Sequence, residues 1–366
     1  MDKSEEEKLS TFRDQIDEID SQLLGLFNNR AEIAQMVAEI KKAHDGDELT
    51  VFYRPDREAQ ILDRIRAANR GPLSSTQIDH LFKELIACCR SLEQQITIAY
   101  LGPAGTYTEA AALKQFGHLA LTRALMSIDE VFREVEAGSS NYGIVPVENT
   151  TDGMVKHTAD CLMFSDLKIC AELEMPIHQA FLVPRDQEEE NVEIIYSHEQ
   201  SLAQCRTWLR TNYPGVQQQA VSSNAAAAKL VSERVGAAAI AGEIAAKPYN
   251  LVVKYRNIED SLDNKTRFLV LGREDVGPSG RDKTSILVST RNEPGALFRV
   301  LEPFHRHNIS LSRIEARPSK MSSWTYVFFI DFDGHHESEA IRNVLTEVED
   351  VASELKTLGS YPKADD

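Results

Sequence analysis

The sequence predicts a multidomain protein with an all-α helical unit, a two-lobed α/β domain and a small α+β domain of the ferredoxin-like type. Three observations indicate this order: a long heptad pattern comes first, strands and helices then alternate, and the last part reads βαββαβ. The chain has 366 residues, which is more than one ordinary hydrophobic core accommodates. We predict domains at 1–95, 96–275 and 282–362.

Composition excludes several classes of protein. The formal net charge of −17 disfavours binding to nucleic acid or to an anionic membrane surface. The chain has no run of about 20 apolar residues, and its acidic first residues lack the apolar core of a signal peptide. The five cysteines have no metal-binding or redox spacing. We therefore expect a cytoplasmic protein with reduced thiols, no membrane span and no bound metal.

A heptad pattern of apolar residues from Leu9 to Ile40 predicts one long helix. Arg30 occupies a position in this apolar row where Leu or Ile is expected. Lys41 flanks the same face, since eleven residues of helix place it about 20° away. A buried cation without a partner is costly. Either another helix supplies a salt bridge, or Arg30 and Lys41 bind a carboxylate-rich ligand within a helix bundle.

The position of Arg13 predicts symmetry. It precedes Arg30 by roughly 25 Å along a straight helix, so one small ligand cannot touch both. Arg13 is therefore either solvated or part of a second site. A second site predicts a symmetric dimer in which the long helices run antiparallel.

Two shorter helices complete the helical unit. The first turn of the second helix holds Arg57 and Glu58. The third helix runs from about residue 76 to 95, with Cys89 facing inward and Glu93 one turn further along the same face. An acid at the edge of an apolar face is either a structural ion pair or part of a site.

This arrangement resembles the small all-helical chorismate mutase domain. The resemblance implies that Arg30, Lys41 and Arg57 hold the two carboxylates and the ether oxygen of chorismate. It also implies that the partner chain supplies Arg13 and that Glu58 binds the substrate hydroxyl. Because the reaction is an intramolecular rearrangement, the protein mainly traps one conformation and supports the breaking ether bond electrostatically.

Two positions vary among proteins of this type. Relatives carry Gln or Glu at the position of Glu93. A Glu there has to be protonated to donate to the ether oxygen, so we predict mutase activity that falls as the pH rises. Cys89 stands where some relatives have Ser.

In the middle of the chain, strands alternate with helices and polar turns follow several strands, which predicts a sheet with helices on both faces. The organising stretch is 264–272, where Asn264, Lys265, Thr266 and Arg267 lead into an apolar run. Polar side chains at the mouth of a buried strand are typical of small-molecule sites in α/β folds. A plain loop that caps the strand is the alternative.

Other polar turns offer further candidates. The turn within GPAGTYTEAA (102–111) presents backbone N–H groups to an anion, although it lacks the spacing of a dinucleotide fingerprint or a P-loop. VPVENTTDG (145–153) forms a polar bend, and SSNAAAAKL (222–230) begins with a helix cap. His198 is more simply a capping residue than a catalytic one.

The strand–helix alternation predicts two lobes, and a two-lobed domain of this kind resembles periplasmic-binding-type folds. The more specific resemblance is to prephenate dehydratase. Six segments occur in the order of that family: GPAGTYTEAA, VPVENT, SHEQSLAQC, SSNAAAA, IAGEIAA and NKTRF. The resemblance implies that prephenate loses carbon dioxide and its ring hydroxyl without a cofactor. The protein then has to supply a proton or strong hydrogen bond to the hydroxyl, anchors for two carboxylates and a dry site.

By the same resemblance, Thr266 is the donor to the leaving hydroxyl. A threonine hydroxyl is a poor acid, so we expect a relay, and Glu148 is one candidate. Arg267 either pairs with a substrate carboxylate in a bidentate manner or is structural, because neighbouring side chains in a strand point to opposite faces. The other candidate hydrogen-bond donors to the substrate are Thr106, Asn149, Ser223 and Asn264.

The βαββαβ order of the last part is typical of a ferredoxin-like fold. It resembles the ACT domain, which binds amino acids at domain interfaces; a purely structural dimerisation domain is the alternative. PGALF and IEARP match two short motifs that hold phenylalanine in the dehydratase family, in which the second is usually Glu-Ser-Arg-Pro. Ala316 thus removes one hydroxyl, which bears on feedback strength. The predicted effector residues are Asn292, Pro294, Gly295, Ala296, Leu297, Glu315 and Arg317.

The whole chain therefore resembles the bifunctional chorismate mutase–prephenate dehydratase family with an ACT domain. The predicted partners are chorismate, prephenate, phenylalanine as effector, and a second copy of the chain in a homodimer or higher oligomer. One rival is a non-catalytic amino-acid sensor with a structural helical unit. Another is an enzyme whose mutase domain serves only dimerisation. Arg30, Lys41 and the cluster at Thr266 argue against the sensor. The presence of Arg13, Arg30, Lys41, Arg57 and Glu58 argues for an active mutase domain.

Overall fold

The computed structural model describes residues 3–45, 51–185, 192–290, 293–318 and 326–364. The chain divides into two compact units. The first comprises Met1–Arg54 with Ile61–Gln95, and the second comprises Pro55–Gln60 with Ile96–Asp366. Among the described helices, none combines the length and hydropathy that a membrane span requires.

The N-terminal part is helical, with α1 (Lys3–Asp45), α2 (Pro55–Ala68) and α3 (Ser75–Glu93). The predicted long helix is present and contains 43 residues. Pro55 begins α2, where its missing N–H costs nothing. A capping box formed by Ser74 and Gln77 begins α3.

The apolar row of α1 is exposed in the single chain. Side chains along it retain large accessible fractions, such as 58% for Phe12, 56% for Ile16 and 60% for Ile33. Arg30 and Lys41 are half-buried, whereas Arg13 is exposed. The heptad pattern thus predicted the helix, but one copy of the chain does not bury this face.

The first lobe of the α/β domain is built on one mixed sheet. Its strands are β1 (Thr97–Leu101), β2 (Leu121–Leu125), β3 (Tyr142–Asn149), β4 (Gly153–Met154), β5 (Lys168–Pro176) and β11 (Lys265–Gly272). The order is β2-β1-β3-β11-β5, with β4 paired to β3. The helices of this lobe are α4 (Tyr107–Phe116), α5 (Ile128–Glu136) and α6 (Lys156–Phe164).

The second lobe has its own sheet, in the order β10-β6-β9-β7-β8. These strands are β6 (Ala180–Pro184), β7 (Ile194–His198), β8 (Gln217–Val221), β9 (Ala237–Ala241) and β10 (Leu251–Tyr255). Its helices are α7 (Glu199–Gln204), α8 (Arg206–Asn212) and α9 (Asn224–Ser232).

The chain returns from the second lobe to the first through β11. This strand lies between β3 and β5 and is antiparallel to both. Phe268, Leu269, Val270 and Leu271 are each at most 1% exposed, as the apolar run predicted. The polar residues that precede them therefore lie where the two lobes meet.

The C-terminal domain has the predicted βαββαβ order. Its elements are β12 (Asp282–Thr290), α10 (Ala296–Arg306), β13 (Leu311–Pro318), β14 (Tyr326–Asp333), α11 (Glu339–Val351) and β15 (Glu354–Pro362). The sheet order is β13-β14-β12-β15, and every neighbouring pair is antiparallel.

Both faces of the C-terminal sheet are covered. One face, which includes Val288 and Ile330, packs against α10 and α11. On the other face, Leu287 and Phe329 belong to the same apolar cluster as Leu271 of β11. The C-terminal domain thus rests directly on the sheet that carries the predicted dehydratase site.

Candidate functional site

Strand pairing brings three of the predicted site residues together. Thr266 of β11 lies opposite Asn149 of β3. The side-chain Nδ2 of Asn149 donates to Thr266 Oγ1 at 2.9 Å and to Asn264 Oδ1 at 2.8 Å. The Asn149 Oδ1 in turn accepts from the backbone N–H of Thr151 at 2.9 Å. Both ends of the Asn149 amide are fixed, so the Thr266 hydroxyl has a defined position.

This arrangement leaves the Thr266 hydroxyl able to donate. A threonine oxygen accepts through its lone pairs and donates through its single O–H. Here Asn149 donates a hydrogen bond to the oxygen. This contact polarises the O–H bond of Thr266 and makes the hydroxyl a better hydrogen-bond donor. Thr266 is therefore suited to hydrogen-bond to a leaving group.

A cavity of about 330 Å³ adjoins this cluster. This volume is within the range of small-molecule sites. Its walls come from both lobes, and they are formed by Thr150, Thr151, Ala203, Gln204, Asp260, Ser261, Asp263 and Asn264. The lobes also meet through a hydrogen bond from Gln200 of α7 to Asp152, just beyond β3.

Glu148 and Arg267 lie on the other face of the same two strands. They are opposite each other in the β3–β11 pairing, one position from Asn149 and Thr266. Glu148 Oε2 is 3.3 Å from Arg313 Nε and 3.7 Å from Arg267 Nη1. The structure therefore does not bring Glu148 to the Thr266 hydroxyl, because successive side chains of a strand point to opposite faces.

Arg267 has the structural placement that the alternation along β11 indicated. Its side chain is 11% exposed and pairs with Glu172 and Asp331. Burial opposes its positive charge, but the neighbouring Tyr361, Asp331 and Glu172 outweigh burial and raise the pKa of the guanidinium. A permanently charged Arg267 is thus held among protein carboxylates.

Thr106 and Ser223 cap helices. Thr106 precedes α4, and its hydroxyl accepts from the N–H of Glu109 at 3.4 Å. Ser223 precedes α9 and accepts from the N–H of Ala226 at 3.0 Å. His198 also acts as a cap, since its Nδ1 accepts from the N–H of Gln200. The two helix starts at Thr106 and Ser223 are of the kind that attracts carboxylates.

The predicted mutase residues lie in three helices. Lys41 is half-buried, and its Nζ lies 5.8 Å from the centre of the Phe52 ring. In α3, Cys89 is buried and Glu93 is half-buried. Arg57 and Glu58 occupy the first turn of α2, in the segment that belongs to the second compact unit.

The predicted effector residues lie at the start of α10 and within β13. Gly295 has a φ of 77°, a left-handed conformation that favours glycine, immediately before α10. Pro294 is exposed, whereas Ala296, Leu297 and Glu315 are half-buried. Asn292 lies outside the described residues.

Arg317 is already engaged by the first lobe. Its Nη2 is 3.0 Å from Asp160 Oδ1, and its Nη1 donates to the carbonyl oxygen of Lys156 at 2.6 Å, both on α6. Ala316 is exposed on the opposite face of β13. The motif that contains both residues therefore contacts another domain through its arginine.

Comparison with known families assigns all three parts of the chain. Residues 12–94 match chorismate mutase type II, residues 98–276 match prephenate dehydratase and residues 284–350 match the ACT domain. The bifunctional chorismate mutase/prephenate dehydratase of Pseudomonas aeruginosa is 51% identical over 362 residues, which cover 99% of each chain. The chain belongs to the bifunctional chorismate mutase/prephenate dehydratase family.

More distant family members align over nearly their whole length. The protein of the same name from Aquifex aeolicus is 44% identical, with 98% of this chain and 99% of that protein covered. The Escherichia coli protein of the same name is 29% identical, with 98% of this chain and 97% of that protein covered. The order of the three domains is therefore shared across the family.

Solved structures match about three quarters of the chain. A prephenate dehydratase from Arthrobacter aurescens in complex with L-Phe has a TM-score of 0.66 and 31% identity, covering 73% of this chain and 90% of that one. GqqA, a quorum quenching acylase, has a TM-score of 0.68 and 25% identity, covering 73% of this chain and 98% of that one. The fold alone thus does not fix the reaction.

Among the described residues of the dehydratase domain, Asp129, His157 and Cys161 form a group of potential metal ligands. Their ligand atoms lie within 4.8 Å of one another. His157 lies within hydrogen-bond distance of Asp129, and this hydrogen bond lowers the pKa of the Asp129 carboxyl. Burial and the nearby Asp129 raise the pKa of the Cys161 thiol to about 12. Asp129 thus accepts a hydrogen bond from Cys161 and contacts His157.

The sequence analysis did not identify Asn224, which holds the end of β7 and the start of α7 through hydrogen bonds. Its Oδ1 accepts from Ser197 Oγ at 3.0 Å and from the N–H of His198 at 3.1 Å, while its Nδ2 donates to Ser201 Oγ at 2.9 Å. The SSNAAAA segment contains it, but the helix cap at Ser223 explained that segment first. The available signal was that Asn224 directly follows the capping Ser223. Its amide can both donate and accept hydrogen bonds.

Proposed function

We propose that this chain rearranges chorismate to prephenate in its helical unit and converts prephenate to phenylpyruvate in its α/β domain. We also propose that phenylalanine inhibits the second reaction through the ACT domain. The observation that carries the proposal is the hydrogen-bonded cluster of Asn149, Asn264 and Thr266 beside a cavity between the lobes. It lies within the segments that resemble prephenate dehydratase.

In the proposed dehydration, Thr266 donates to the ring hydroxyl of prephenate. The carbon–oxygen bond breaks and the hydroxyl leaves as water. The bond to the ring carboxylate breaks as carbon dioxide departs, and its electron pair completes the aromatic ring. The proton on Thr266 has to be replaced, and the relay runs through solvent rather than Glu148, because Glu148 faces the opposite side of β3.

The substrate carboxylates require anchors. The starts of α4 and α9, at Thr106 and Ser223, supply backbone N–H groups and the positive ends of two helix dipoles. Asn264 is 8% exposed and adjoins the cavity. In this proposal Arg267 is not a carboxylate ligand, because it already forms ion pairs with Glu172 and Asp331.

In the proposed mutase site, Arg30, Lys41 and Arg57 bind the carboxylates and ether oxygen of chorismate. Glu58 binds the substrate hydroxyl, and Glu93 donates to the ether oxygen in its protonated form. Cys89 packs against the substrate. These groups favour the compact conformation of chorismate in which the rearrangement takes place.

We propose a homodimer formed through α1. The exposed apolar row of this helix supports the proposal, since an extended apolar face on one copy is typical of an interface. In the dimer, Arg13 of one copy completes the mutase site of the other. The five cysteines are free thiols, which fits the cytoplasm as the proposed location.

In the ACT domain, the proposed phenylalanine site comprises the start of α10 and the motif on β13. Its residues are Asn292, Pro294, Gly295, Ala296, Leu297, Glu315 and Arg317. The left-handed Gly295 supports this assignment, because it lets backbone groups approach a small ligand closely. Arg317 would act there through its contact with α6 rather than on the ligand alone.

One assay tests the whole proposal. Purified protein is supplied with chorismate, and prephenate and phenylpyruvate are followed separately, with and without phenylalanine. Phenylpyruvate formed from chorismate alone, and suppressed by phenylalanine, is the expected result. Prephenate that accumulates without phenylpyruvate would refute the role of Thr266. No turnover of either substrate would favour a non-catalytic amino-acid sensor.

A further inference from the structure

An ion network, buried except for the half-exposed Glu148, lies behind Thr266 on the opposite face of β11. The Arg267 network, as we name it, consists of Glu148, Glu172, Arg267, Lys283, Arg313 and Asp331. Three of these side chains are cations and three are carboxylates, so their formal charges cancel. The network connects strands of the dehydratase domain to strands of the ACT domain.

Arg267 is the centre of the network. Its Nη2 lies 2.7 Å from Asp331 Oδ2, and its Nε lies 3.0 Å from Glu172 Oε2. The side chains of Arg267, Glu172 and Asp331 are 11%, 2% and 5% exposed. A charge buried this deeply requires partners. The Nη2 of Arg267 donates a hydrogen bond to Asp331, whereas its contact with Glu172 is an ion pair without hydrogen-bond geometry. The partners of Arg267 are therefore protein groups.

Asp331 and Glu172 each bind groups from both domains. Asp331 of the ACT domain contacts Arg267, and its Oδ1 accepts from Ser285 Oγ of its own domain at 2.6 Å. Glu172 of the dehydratase domain contacts Arg267, and its Oε1 lies 2.6 Å from Lys283 Nζ of the ACT domain. A shift of one domain against the other would separate charges in a buried setting.

Glu148 is shared between the domains in the same way. Its Oε2 lies 3.7 Å from Arg267 Nη1 of the dehydratase domain and 3.3 Å from Arg313 Nε of the ACT domain. It precedes Asn149, the donor to Thr266 Oγ1, on β3. Both strands that form the Thr266 cluster are thus attached to the ACT sheet from behind.

The backbone geometry makes the position of Thr266 sensitive to this attachment. Thr266 and Arg267 are joined by one rigid peptide unit. The pairing of β11 with β3 changes register immediately after Arg267, since Arg267 lies opposite Glu148 whereas Phe268 lies opposite Pro146. This bulge lies in β3, whereas β11 stays in register with β5 from Lys265 to Val270, so the contacts of Glu148 and Arg267 help to fix β3 against β11.

We propose that Arg267 is a positioning residue for the dehydration reaction. It holds β11 to the ACT sheet, fixes the Thr266 hydroxyl from behind, and transmits rearrangements of the ACT domain to that hydroxyl. The proposal rests on the proposed dehydratase role of Thr266. It gives Arg267 no contact with prephenate.

Kinetics of two variants test this role. Asp331→Asn removes the negative charge that the ACT domain presents to Arg267 and keeps the size of the side chain. Arg267→Lys keeps the positive charge but removes the planar guanidinium. For both we expect a lower kcat with little change in KM for prephenate, because no substrate contact is lost. Inhibition by phenylalanine should weaken about fivefold or more, the lower range of allosteric coupling. A raised KM at unchanged kcat in Arg267→Lys would mean that Arg267 binds a substrate carboxylate and would overturn the proposal.

Glu302→Gln is the matched control. It removes an exposed carboxylate that pairs with Arg306 at 2.6 Å in the same domain. This variant should keep the kcat, the KM and the phenylalanine response of the unsubstituted protein. If Glu302→Gln and Asp331→Asn lowered kcat and phenylalanine inhibition equally, the loss of any carboxylate in the ACT domain would have this effect. That result would also contradict the proposal.

Amide hydrogen exchange gives a measurement that needs no turnover. In Asp331→Asn, exchange should rise at residues 265–271 of β11 and stay unchanged at residues 237–241 of β9 in the other lobe. Unchanged exchange in β11 would overturn the proposal. If Asp331→Asn does not fold, Ser285→Ala removes one hydrogen bond from Asp331 and should give the same pattern at smaller amplitude. A protein that fails to convert prephenate would refute the proposed function, while exchange would still decide whether the network holds β11.

Discussion

The amide of Asn149 donates to the hydroxyl oxygen of Thr266 at 2.9 Å, across two neighbouring strands whose residues are 117 positions apart in the chain. The contact fixes the direction of the hydroxyl, because the other end of the amide is held by the backbone of Thr151. Orientation matters here, since a proton donor is effective only when it points at the leaving group. The relationship connects the two motifs NKTRF and VPVENT in one site.

Thr266→Ala should abolish most of the dehydratase activity. Removal of a positioned proton donor typically lowers a rate by about 10²–10⁴-fold. Thr266→Ser keeps the hydroxyl and should keep much of the activity. The measurement is kcat for prephenate, with the mutase activity of the same sample as a control for correct folding. A full rate in Thr266→Ala would exclude the assigned role.

Asn149→Asp tests the orientation of the Thr266 hydroxyl. The substitution replaces the donating Nδ2 by an oxygen that would accept the Thr266 proton, so the hydroxyl would point away from the substrate. We expect kcat for prephenate to fall roughly five- to tenfold, about the net contribution of one hydrogen bond. Asn212→Asp, in an exposed helical position, is the matched control. An unchanged kcat in Asn149→Asp would contradict the argument.

Ile16→Glu should dissociate the proposed dimer. Ile16 lies in the exposed apolar row of α1 and would be buried twice in a symmetric interface. Each burial is worth about 1.5–3 kcal/mol, and a buried unpaired carboxylate adds a further cost. Sedimentation should show a monomer. A separate assay should show low mutase activity, because Arg13 of the partner copy is lost from the site.

Ser21→Glu is the control for the dimer prediction. Ser21 lies on the opposite side of α1, where its hydroxyl donates to the carbonyl oxygen of Asp17. This variant should sediment as the unsubstituted protein does. A stable dimer with Ile16→Glu would indicate that α1 is not the interface.

The mutase reaction should depend on the protonation of Glu93. We expect chorismate turnover to fall as the pH rises, since only the protonated carboxyl donates to the ether oxygen. Glu93→Gln carries its donor at every pH and should give a flat profile above neutrality. Glu84→Gln, on the same helix, should follow the unsubstituted protein. A flat profile in the unsubstituted protein, together with unchanged activity of Glu93→Gln, would remove Glu93 from the mechanism.

Cys161 should be slow to alkylate at pH 8. Burial and the nearby Asp129 raise its pKa to about 12, which leaves about one thiolate in 10⁴ at that pH. The exposed Cys88 should react first, as peptide mapping by mass spectrometry would show. Asp129→Asn removes the closest negative charge, so it should lower the pKa and speed the reaction of Cys161. Faster modification of Cys161 than of Cys88 would contradict this assignment.

Local patterns were sufficient to predict the order of domains and most elements. The heptad row of α1, the strand–helix alternation and the βαββαβ order each depend on residues close together in the chain. The same holds for the cap that begins the SSNAAAAKL helix and for the buried run after Arg267, both of which the structure contains. Periodicity is set by the geometry of a single helix or strand, so the sequence shows it directly.

The contacts between distant segments could not be predicted in this way. The sequence made Glu148 one candidate for a relay to Thr266, but the register of β3 against β11 turns Glu148 toward Arg267 and Arg313. The sequence also made Arg317 an effector residue without indicating its pairing with Asp160.

The sequence by itself determined which elements form and which motifs they contain. Only the tertiary structure decided which side chains meet: Asn149 with Thr266 on one face of the sheet, and Arg267 with Asp331 of the ACT domain on the other. The physical reason is that a strand exposes alternate residues on opposite faces, and the partner on each face is chosen by long-range pairing and domain packing. The exposed row of α1 makes the same point, because a heptad pattern specifies an apolar face but not the surface that covers it.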